Sequence, residues 1–273
     1  MEIKFENVFY NDFISGFSVL KNINFTINEG VSCFVGHGGK STILELIETL
    51  KFASSGTIKI GDQFICKRNK SLYRLRPHIG IVYQNPGDHF FMKTVREEIE
   101  FALNNFMYED REKRTIDSLK MVGLNKSYLN KSPFQLSTSE QRLLNLAIVL
   151  AFNPKIILLD EPTFGVDNRF KRHLIKLIKM MKYRYKKIVV ISSNDTDTLF
   201  EVCDKVYVVN DGKIVHDGDK YAIFGDYDLL KKYNINIPKT TYFSYLVKQK
   251  KGINIGVRND INDVIKDVYR YVK

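Results

Sequence analysis

The sequence predicts an α/β fold in which a mainly parallel sheet is covered by helices on both faces. Three observations predict it. Short apolar runs of the kind that form buried strands alternate with amphipathic helical segments through most of the 273 residues. A glycine-rich turn, Gly36-His37-Gly38-Gly39-Lys40, joins one such run to a helical segment. A second run, Ile156 to Leu159, ends in two adjacent carboxylates, Asp160 and Glu161, at the strand end where open α/β sheets place their ligands.

Composition agrees with this class. With 44% hydrophobic and 27% charged residues, the chain is long enough for one sizeable domain and a small appendage. The net charge of +11 is spread along the chain and not gathered in a tail, so nucleic acid is not expected as a partner. The basic run Lys182 to Lys187 reads as a solvated helix end. Cys33, Cys66 and Cys203 are odd in number and lack metal-ligand spacing, and read as ordinary thiols in a reducing compartment. Near Met1, Glu2, Lys4 and Glu6 alternate with apolar residues where a secretion signal would be apolar. No run approaches the ~18 apolar residues of a membrane span. The chain is expected in the cytoplasm, and any membrane role is expected to be peripheral.

Taken in order, Ile3, Phe5 and Val8, then Ile23, Phe25 and Ile27, alternate in the manner of half-buried strands, and Val31 to Val35 reads as a buried strand. Ile43, Leu44, Leu46, Ile47 and Leu50 follow the glycine-rich turn at helical spacing. Gly56 to Asp62 reads as a hairpin, and Ile79 to Tyr83 as a core strand ending at Gln84-Asn85-Pro86. Val95 to Leu103 and Asp110 to Val122 read as helices inserted between strands. Ser137 and Glu140 form an S-x-x-E capping box before Leu143, Leu146, Ala147, Leu150 and Ala151, which lie on one helical face, and Asn153-Pro154 ends that helix. Arg169 to Met181 is a helix with a basic outer face. A buried strand, Ile188 to Ile191, leads through Ser192-Ser193-Asn194-Asp195 into a helix over Thr196 to Val202. Lys205 to Val209 and Lys213 to Val215 make a hairpin through Asn210-Asp211-Gly212.

The turn at Gly36 carries the first candidate chemistry. Strand, glycine-rich turn, Lys40-Ser41-Thr42 and helix is the layout of a phosphate-binding loop, in which backbone N–H groups and a helix N-terminus converge on an anion. Lys40 would add a point charge, and Ser41 would offer a hydroxyl to Mg²⁺. The pattern G-x-x-x-x-G-K-[ST] places a glycine where Phe34 stands; counted from Gly36, the loop is two residues short. A plain left-handed turn between strand and helix is the alternative at this point. Phosphate binding is preferred on the strength of Gly39-Lys40-Ser41-Thr42. For Asp160 and Glu161, metal and water chemistry stands beside a pair of solvated acids.

Six motifs in order then resemble an ABC-type ATPase. They are the glycine-rich loop with Lys-Ser-Thr, the strand-end Gln84 in YQNP, the LST of Leu136 to Thr138 with Leu-Leu-Asn-Leu-Ala after it, ILLDEPT, FGVD, and a late strand ending in Ser-Asn-Asp. The chain is most similar to the ATPase subunits of energy-coupling factor transporters, through Lys131 to Ser137, Gly36-His37 and the ending LLKKYNINIPKTTYFSYLVKQKKGINI. The resemblance implies a P-loop NTPase of the ABC nucleotide-binding type, with a mainly parallel core sheet, an antiparallel β subdomain and a helical subdomain over about 85–152, all within 1–230. A C-terminal helical dimerisation extension is expected over 231–273. It implies ATP and Mg²⁺ as ligands, with Gly36, Gly38, Gly39, Lys40, Ser41 and Thr42 around the phosphates and Tyr10, or less surely Phe13, against adenine. Ser41, Gln84 and Asp160 would serve the metal, Glu161 would polarise the attacking water, Gln84 would sense the γ-phosphate, and Asp167 would meet the other subunit. Implied partners are a second ABC ATPase subunit, an integral membrane coupling subunit and a substrate-binding membrane subunit, at the cytoplasmic face of the membrane.

Three places depart from the family pattern. The phosphate loop is short. The LSGGQ signature, which in the family closes over the other subunit's nucleotide, reads Leu136-Ser137-Thr138-Ser139-Glu140: two glycines have gained side chains, and a carboxylate stands near the expected γ-phosphate. Asn194 occupies the place of the switch histidine, and an amide can hydrogen-bond a phosphate but cannot shuttle a proton. The expectation is therefore an importer subunit whose own hydrolysis is weak or lost, working as the weaker half of an ATPase heterodimer that takes up a vitamin or metal ion. The alternative is a structural or regulatory ABC subunit that does not hydrolyse ATP. A soluble ABC protein acting on ribosomes or DNA is disfavoured by a single cassette and the lack of sustained heptads.

Overall fold

A computed structural model describes residues 1–12 and 16–272. Two sheets form. The antiparallel one contains β1 (Ile3–Asn11), β2 (Ser18–Ile27), β4 (Ser55–Ile60) and β5 (Gln63–Phe64), in the order β2-β1-β4-β5. The larger sheet contains β3 (Gly30–His37), β6 (Ile79–Val82), β7 (Ile156–Asp160), β8 (Ile188–Ser192), β9 (Lys205–Asn210) and β10 (Lys213–Asp219), in the order β10-β9-β3-β8-β7-β6. All its pairings are parallel except the β9–β10 hairpin. That hairpin turns through Asp211 and Gly212, both at positive φ, as a tight primed turn requires.

The helices are α1 (Lys40–Ile47), α2 (Val95–Asn105), α3 (Arg111–Met121), α4 (Thr138–Ala151), α5 (Asn168–Tyr183), α6 (Thr196–Val202), α7 (Lys220–Phe224), α8 (Tyr227–Lys232), α9 (Lys239–Lys251) and α10 (Ile261–Val272). Helices α2 to α4 occupy the chain between β6 and β7.

The pleat of the large sheet sorts its side chains into two cores. Val189 and Ile191 of β8 point into a core shared with α2 to α6, whereas Ile188 and Val190 point into one shared with α1 and the antiparallel sheet. Each such buried aliphatic side chain stabilises the fold by roughly 1.5–3 kcal/mol, so both faces are held without long-range charge. Phe34 and Tyr207 stack 5.0 Å apart in the second core, and the Tyr207 hydroxyl donates to the Thr26 carbonyl at 2.9 Å, tying one sheet to the other.

Two expectations are corrected. Cys33 and Cys203 are not separate thiols: the β3–β9 pairing brings them together across 170 residues of sequence as a disulfide, with Cα atoms 6.3 Å apart. Cys66 is free and exposed. The basic run after α5 is also not wholly solvated. Lys187 is only 8% exposed, and its ammonium donates to Asn153 Oδ1 at 2.6 Å and to the Pro154 carbonyl at 2.6 Å. It thereby satisfies carbonyls just past the end of α4, and burial pulls its pKa below the ordinary lysine value.

Candidate functional site

The parallel register brings the candidate residues to one edge of the sheet. Asp160 of β7 lies beside Ser192 of β8, which lies beside Phe34 of β3, so the segments that continue past them emerge side by side. Strand β3 runs further than its apolar pattern predicts. It includes Gly36 and His37, which pair with Val209 and Asn210, leaving Gly38 and Gly39 to turn the chain into α1. Gly36 sits at φ 97°, and a Cβ there would lie 2.3 Å from the Val209 carbonyl oxygen, so only glycine fits. Gly39 caps α1 at φ 108°, and a Cβ on it would meet Leu20 at 2.5 Å.

Lys40 closes this short loop on itself. Its ammonium donates to the Gly36 carbonyl at 2.6 Å and to Asn194 Oδ1 at 3.3 Å, and lies 3.9 Å from Glu161 Oε1. Desolvation lowers its pKa, while Glu161 and Asp160 pull the other way. Glu161 is held with its backbone in the left-handed region, φ 42°, a strained position for a residue with a side chain. Its Oε2 accepts from the Ser193 hydroxyl at 2.8 Å and the Asn194 amide at 3.3 Å, and its own amide donates to the Ser192 carbonyl at 2.8 Å. The structure therefore gathers Lys40, Glu161 and Asn194 into one hydrogen-bonded group around the loop.

Asp160 is 8% exposed and its Oδ1 is buried with no hydrogen-bond partner. An orphaned carboxylate oxygen at a strand end fits a hard cation, and Mg²⁺ in such sites is bound by one or two protein oxygens together with phosphates and water. Ser41 is exposed at the start of α1 and Gln84 is half-buried beyond β6, so the donor set is oxygen throughout. Among the described residues no three His, Cys, Asp or Glu side chains form a metal cage.

The signature stretch stands apart from this group. Ser137 caps α4, and the reciprocal box is complete: Glu140 Oε2 accepts from the Ser137 amide at 2.8 Å and its hydroxyl at 2.7 Å. Glu140 Oε1 also accepts from the Tyr128 hydroxyl at 2.6 Å. This bond first, then those from Ser137, holds the Glu140 carboxyl below the usual range, so it is an anion at neutral pH. Thr138 is exposed and Ser139 half-buried in the first turn. Asp167 caps α5 by accepting from the Phe170 amide at 2.7 Å. The alternation of β1 points Tyr10, 9% exposed, into the second core, with Lys51 5.4 Å from its ring. Phe13 lies outside the described residues.

Several supporting residues were not apparent in the sequence. Ser193 and Tyr128 act through the contacts above, and only the serine's place beside Asn194 offered a signal. Arg142, 5% exposed, donates from Nη2 to the Phe164 carbonyl at 2.7 Å, and Asn145 reaches the Pro86 carbonyl at 3.1 Å. Tyr83, next to Gln84, donates to Glu48 Oε2 at 2.5 Å and stacks on His89 at 4.4 Å, linking the end of α1 to the Gln84 loop.

Burial raises the Glu48 pKa to about 7, the Tyr83 hydrogen bond only partly opposing it. A carboxyl with a raised folded pKa contributes fully below its unfolded value near 4.5, and that contribution is lost as pH rises through 7. Glu48→Gln, which keeps an acceptor for Tyr83, should therefore raise the thermal midpoint at pH 8, by the equivalent of about 2 kcal/mol, and much less at pH 5. Thermal denaturation at both values checks this.

Comparison with known proteins gives a consistent neighbourhood. The family profile described as ABC transporter matches residues 20–164. The chain is 33% identical over 260 residues to the energy-coupling factor transporter ATP-binding protein EcfA2 of Clostridium acetobutylicum, covering 92% of this chain and 91% of the relative. It is 33% identical over 269 residues to the corresponding EcfA protein of Methanocaldococcus jannaschii, covering 97% and 96%. Among solved structures it resembles cbiO1 of Clostridium perfringens, described as part of the ABC transporter complex cbiONQ, with a TM-score of 0.74, 28% identity and 88% and 97% coverage. A dimeric ATP-binding cassette, MJ0796, bound to ADP and Pi superposes with a TM-score of 0.72 at 28% identity, covering 80% and 98%.

Proposed function

Since the chain belongs to the ABC transporter family, in its energy-coupling factor ATPase branch, we propose that it is the weaker ATP-binding half of an ATPase heterodimer that powers uptake of a vitamin or metal ion. The observation that carries this reading is Glu140: its carboxylate occupies the Ser137 amide and hydroxyl at the helix start that in the family faces the partner's γ-phosphate. An anion at that place repels a triphosphate instead of receiving it.

In this reading residues 1–230 are the ATPase domain, with its helical subdomain near 85–152, and 231–273 the dimerisation extension. The cassette binds ATP through Gly36, Gly38, Gly39, Lys40, Ser41 and Thr42; Tyr10, expected against adenine, is instead turned into the second core. The triphosphate displaces the Gly36 carbonyl from Lys40, whose charge then serves the phosphates. Ser41, Asp160 and Gln84 would hold Mg²⁺, which when bound neutralises phosphate charge and orients the phosphoryl group. Glu161, fixed by Ser193 and Asn194, is poised to accept a proton from attacking water, and Asn194 can donate a hydrogen bond to the γ-phosphate but cannot relay a proton. Asp167 would meet the second ATPase subunit, and a groove beside Gln84 the membrane coupling subunit, which works with a separate substrate-binding membrane subunit. In this reading the chain sits peripherally at the cytoplasmic face, held there by its membrane partners; no helix among the described residues is long and apolar enough to cross a membrane. Nucleic acid has no part in this reading.

A nucleotide-free regulatory subunit is the second reading. It is favoured by the 2.6 Å bond that commits Lys40 to Gly36 in a loop two residues short. Equilibrium titration with a non-hydrolysable ATP analogue and Mg²⁺ separates the two. Saturable binding below millimolar ligand is the expected result, and no saturable binding at millimolar ligand establishes the regulatory reading.

A further inference from the structure

Between α8 and α9 the chain crosses the open edge of the candidate nucleotide site. Asn234 follows α8 with φ 52°, the left-handed conformation that ends a helix and redirects the next carbonyl. The Asn234 carbonyl lies 3.2 Å from His37 Nε2. A carbonyl only accepts, so the Nε2 of His37 carries the proton and donates. Two residues on, Asn236 Nδ2 donates to the Asn194 carbonyl at 3.2 Å. Lys239, the first residue of α9, donates its amide to Asp197 Oδ1 at 2.8 Å, below Asn194 on α6. The side chains between these bonds are anchored: Ile235 and Pro238 are buried, and Ile237 packs against the first core.

These bonds complete a ring. His37 neighbours Gly36, whose carbonyl accepts from Lys40; Lys40 donates to Asn194 Oδ1; and Asn194 accepts on its carbonyl from Asn236. Asn194 is thus held by Lys40 at its side chain, by Glu161 at its amide, and at its carbonyl by Asn236 together with the Thr196 amide at 3.1 Å. Only Asn236 comes from the C-terminal segment.

We propose that Asn234–Lys239 is a strap by which the C-terminal helices set the position of the phosphate loop and of Asn194, with Asn236 as its positioning residue. The proposal rests on the nucleotide-binding reading of the same site. Its consequence is reciprocal: a strap that holds Asn194 where it meets the γ-phosphate favours ATP, and bound ATP tightens the docking of α9 by the same factor. Since Asn236 acts through Asn194, which would face the γ-phosphate, its loss bears on ATP and spares ADP.

The test uses the full chain with Asn236→Ala and Asn236→Leu, the latter keeping the branched side-chain shape without a donor. Asn236 is exposed, so both variants should stay folded, with a thermal midpoint within about 4 °C of wild type. Without nucleotide, amide exchange in peptides covering 36–41 and 192–197 should accelerate about fivefold, the worth of one neutral hydrogen bond. With Mg²⁺, the ATP dissociation constant should rise about fivefold and that of ADP less than twofold. Unchanged exchange in both peptides, or equal losses for ATP and ADP, overturns the strap. Should the wild-type chain bind neither nucleotide, the nucleotide reading fails and the exchange result alone decides whether Asn236 positions Asn194.

Discussion

Lys40→Ala should weaken ATP binding by at least about 100-fold in an equilibrium titration with Mg²⁺. Lys40 brings its ammonium within 3.9 Å of Glu161 and is only partly exposed, so it meets a phosphate with little competing water. Charge-assisted hydrogen bonds of this kind are worth roughly 1.5–3 kcal/mol each, and two of them lost together give the stated factor. The variant also leaves Asn194 Oδ1 and the Gly36 carbonyl without their lysine partner. A small drop in thermal midpoint should accompany the loss. Lys40→Arg should not restore affinity, because the short loop is closed around a compact ammonium and a planar guanidinium needs more room. Full retention of ATP affinity in Lys40→Ala would place the nucleotide elsewhere.

Restoring the signature has the second large effect. In a complex with a complete ATPase subunit, the triple change Thr138→Gly, Ser139→Gly and Glu140→Gln should raise hydrolysis of the partner-bound nucleotide about tenfold to 100-fold in single-turnover measurements. The removed carboxylate is an anion tied to Tyr128 and Ser137; its neutral replacement no longer repels the γ-phosphate, and the two glycines let the helix N-terminus approach it. Donors aimed at developing phosphoryl charge carry changes of about this size. The same change keeps the Ser137 cap but removes the charge of Glu140 and puts two glycines in the first turn of α4, so the variant should melt several degrees lower. Faster turnover with lower stability is the signature of a helix start released for binding. Unchanged turnover would mean that Glu140 does not face a nucleotide.

Much of this architecture was legible in the sequence because it depends on local pattern. The apolar runs at Ile156 and Ile188 form β7 and β8, and the Ser137–Glu140 spacing forms a complete capping box. The α/β class follows from strand–helix alternation, the ABC relationship from motif order, and the energy-coupling factor branch from Lys131 to Ser137, Gly36-His37 and the C-terminal ending. What the sequence hid was long-range. Nothing in the spacing of Cys33 and Cys203 indicates that β3 and β9 pair beside them. Lys187 looked like one charge in a solvated run, because its acceptors lie in the Asn153-Pro154 turn more than thirty positions earlier. Strand β3 extends through Gly36 and His37 because β9 offers partners, which no apolar count detects. Tyr128 and Asn236 sit in stretches with no motif, and their contacts with Glu140 and Asn194 exist only once helices and strap are folded together.

A chain that binds ATP at a contracted loop yet needs a more complete partner for turnover should be nearly idle on its own. Steady-state ATP hydrolysis by the purified chain alone, at saturating Mg²⁺ and ATP and at concentrations that allow self-association, tests it most directly. The expected rate lies at least about tenfold below the ~1 s⁻¹ that marks the low end of ordinary enzyme turnover. Robust turnover by a homodimer of this chain, at or above that rate, would contradict this expectation.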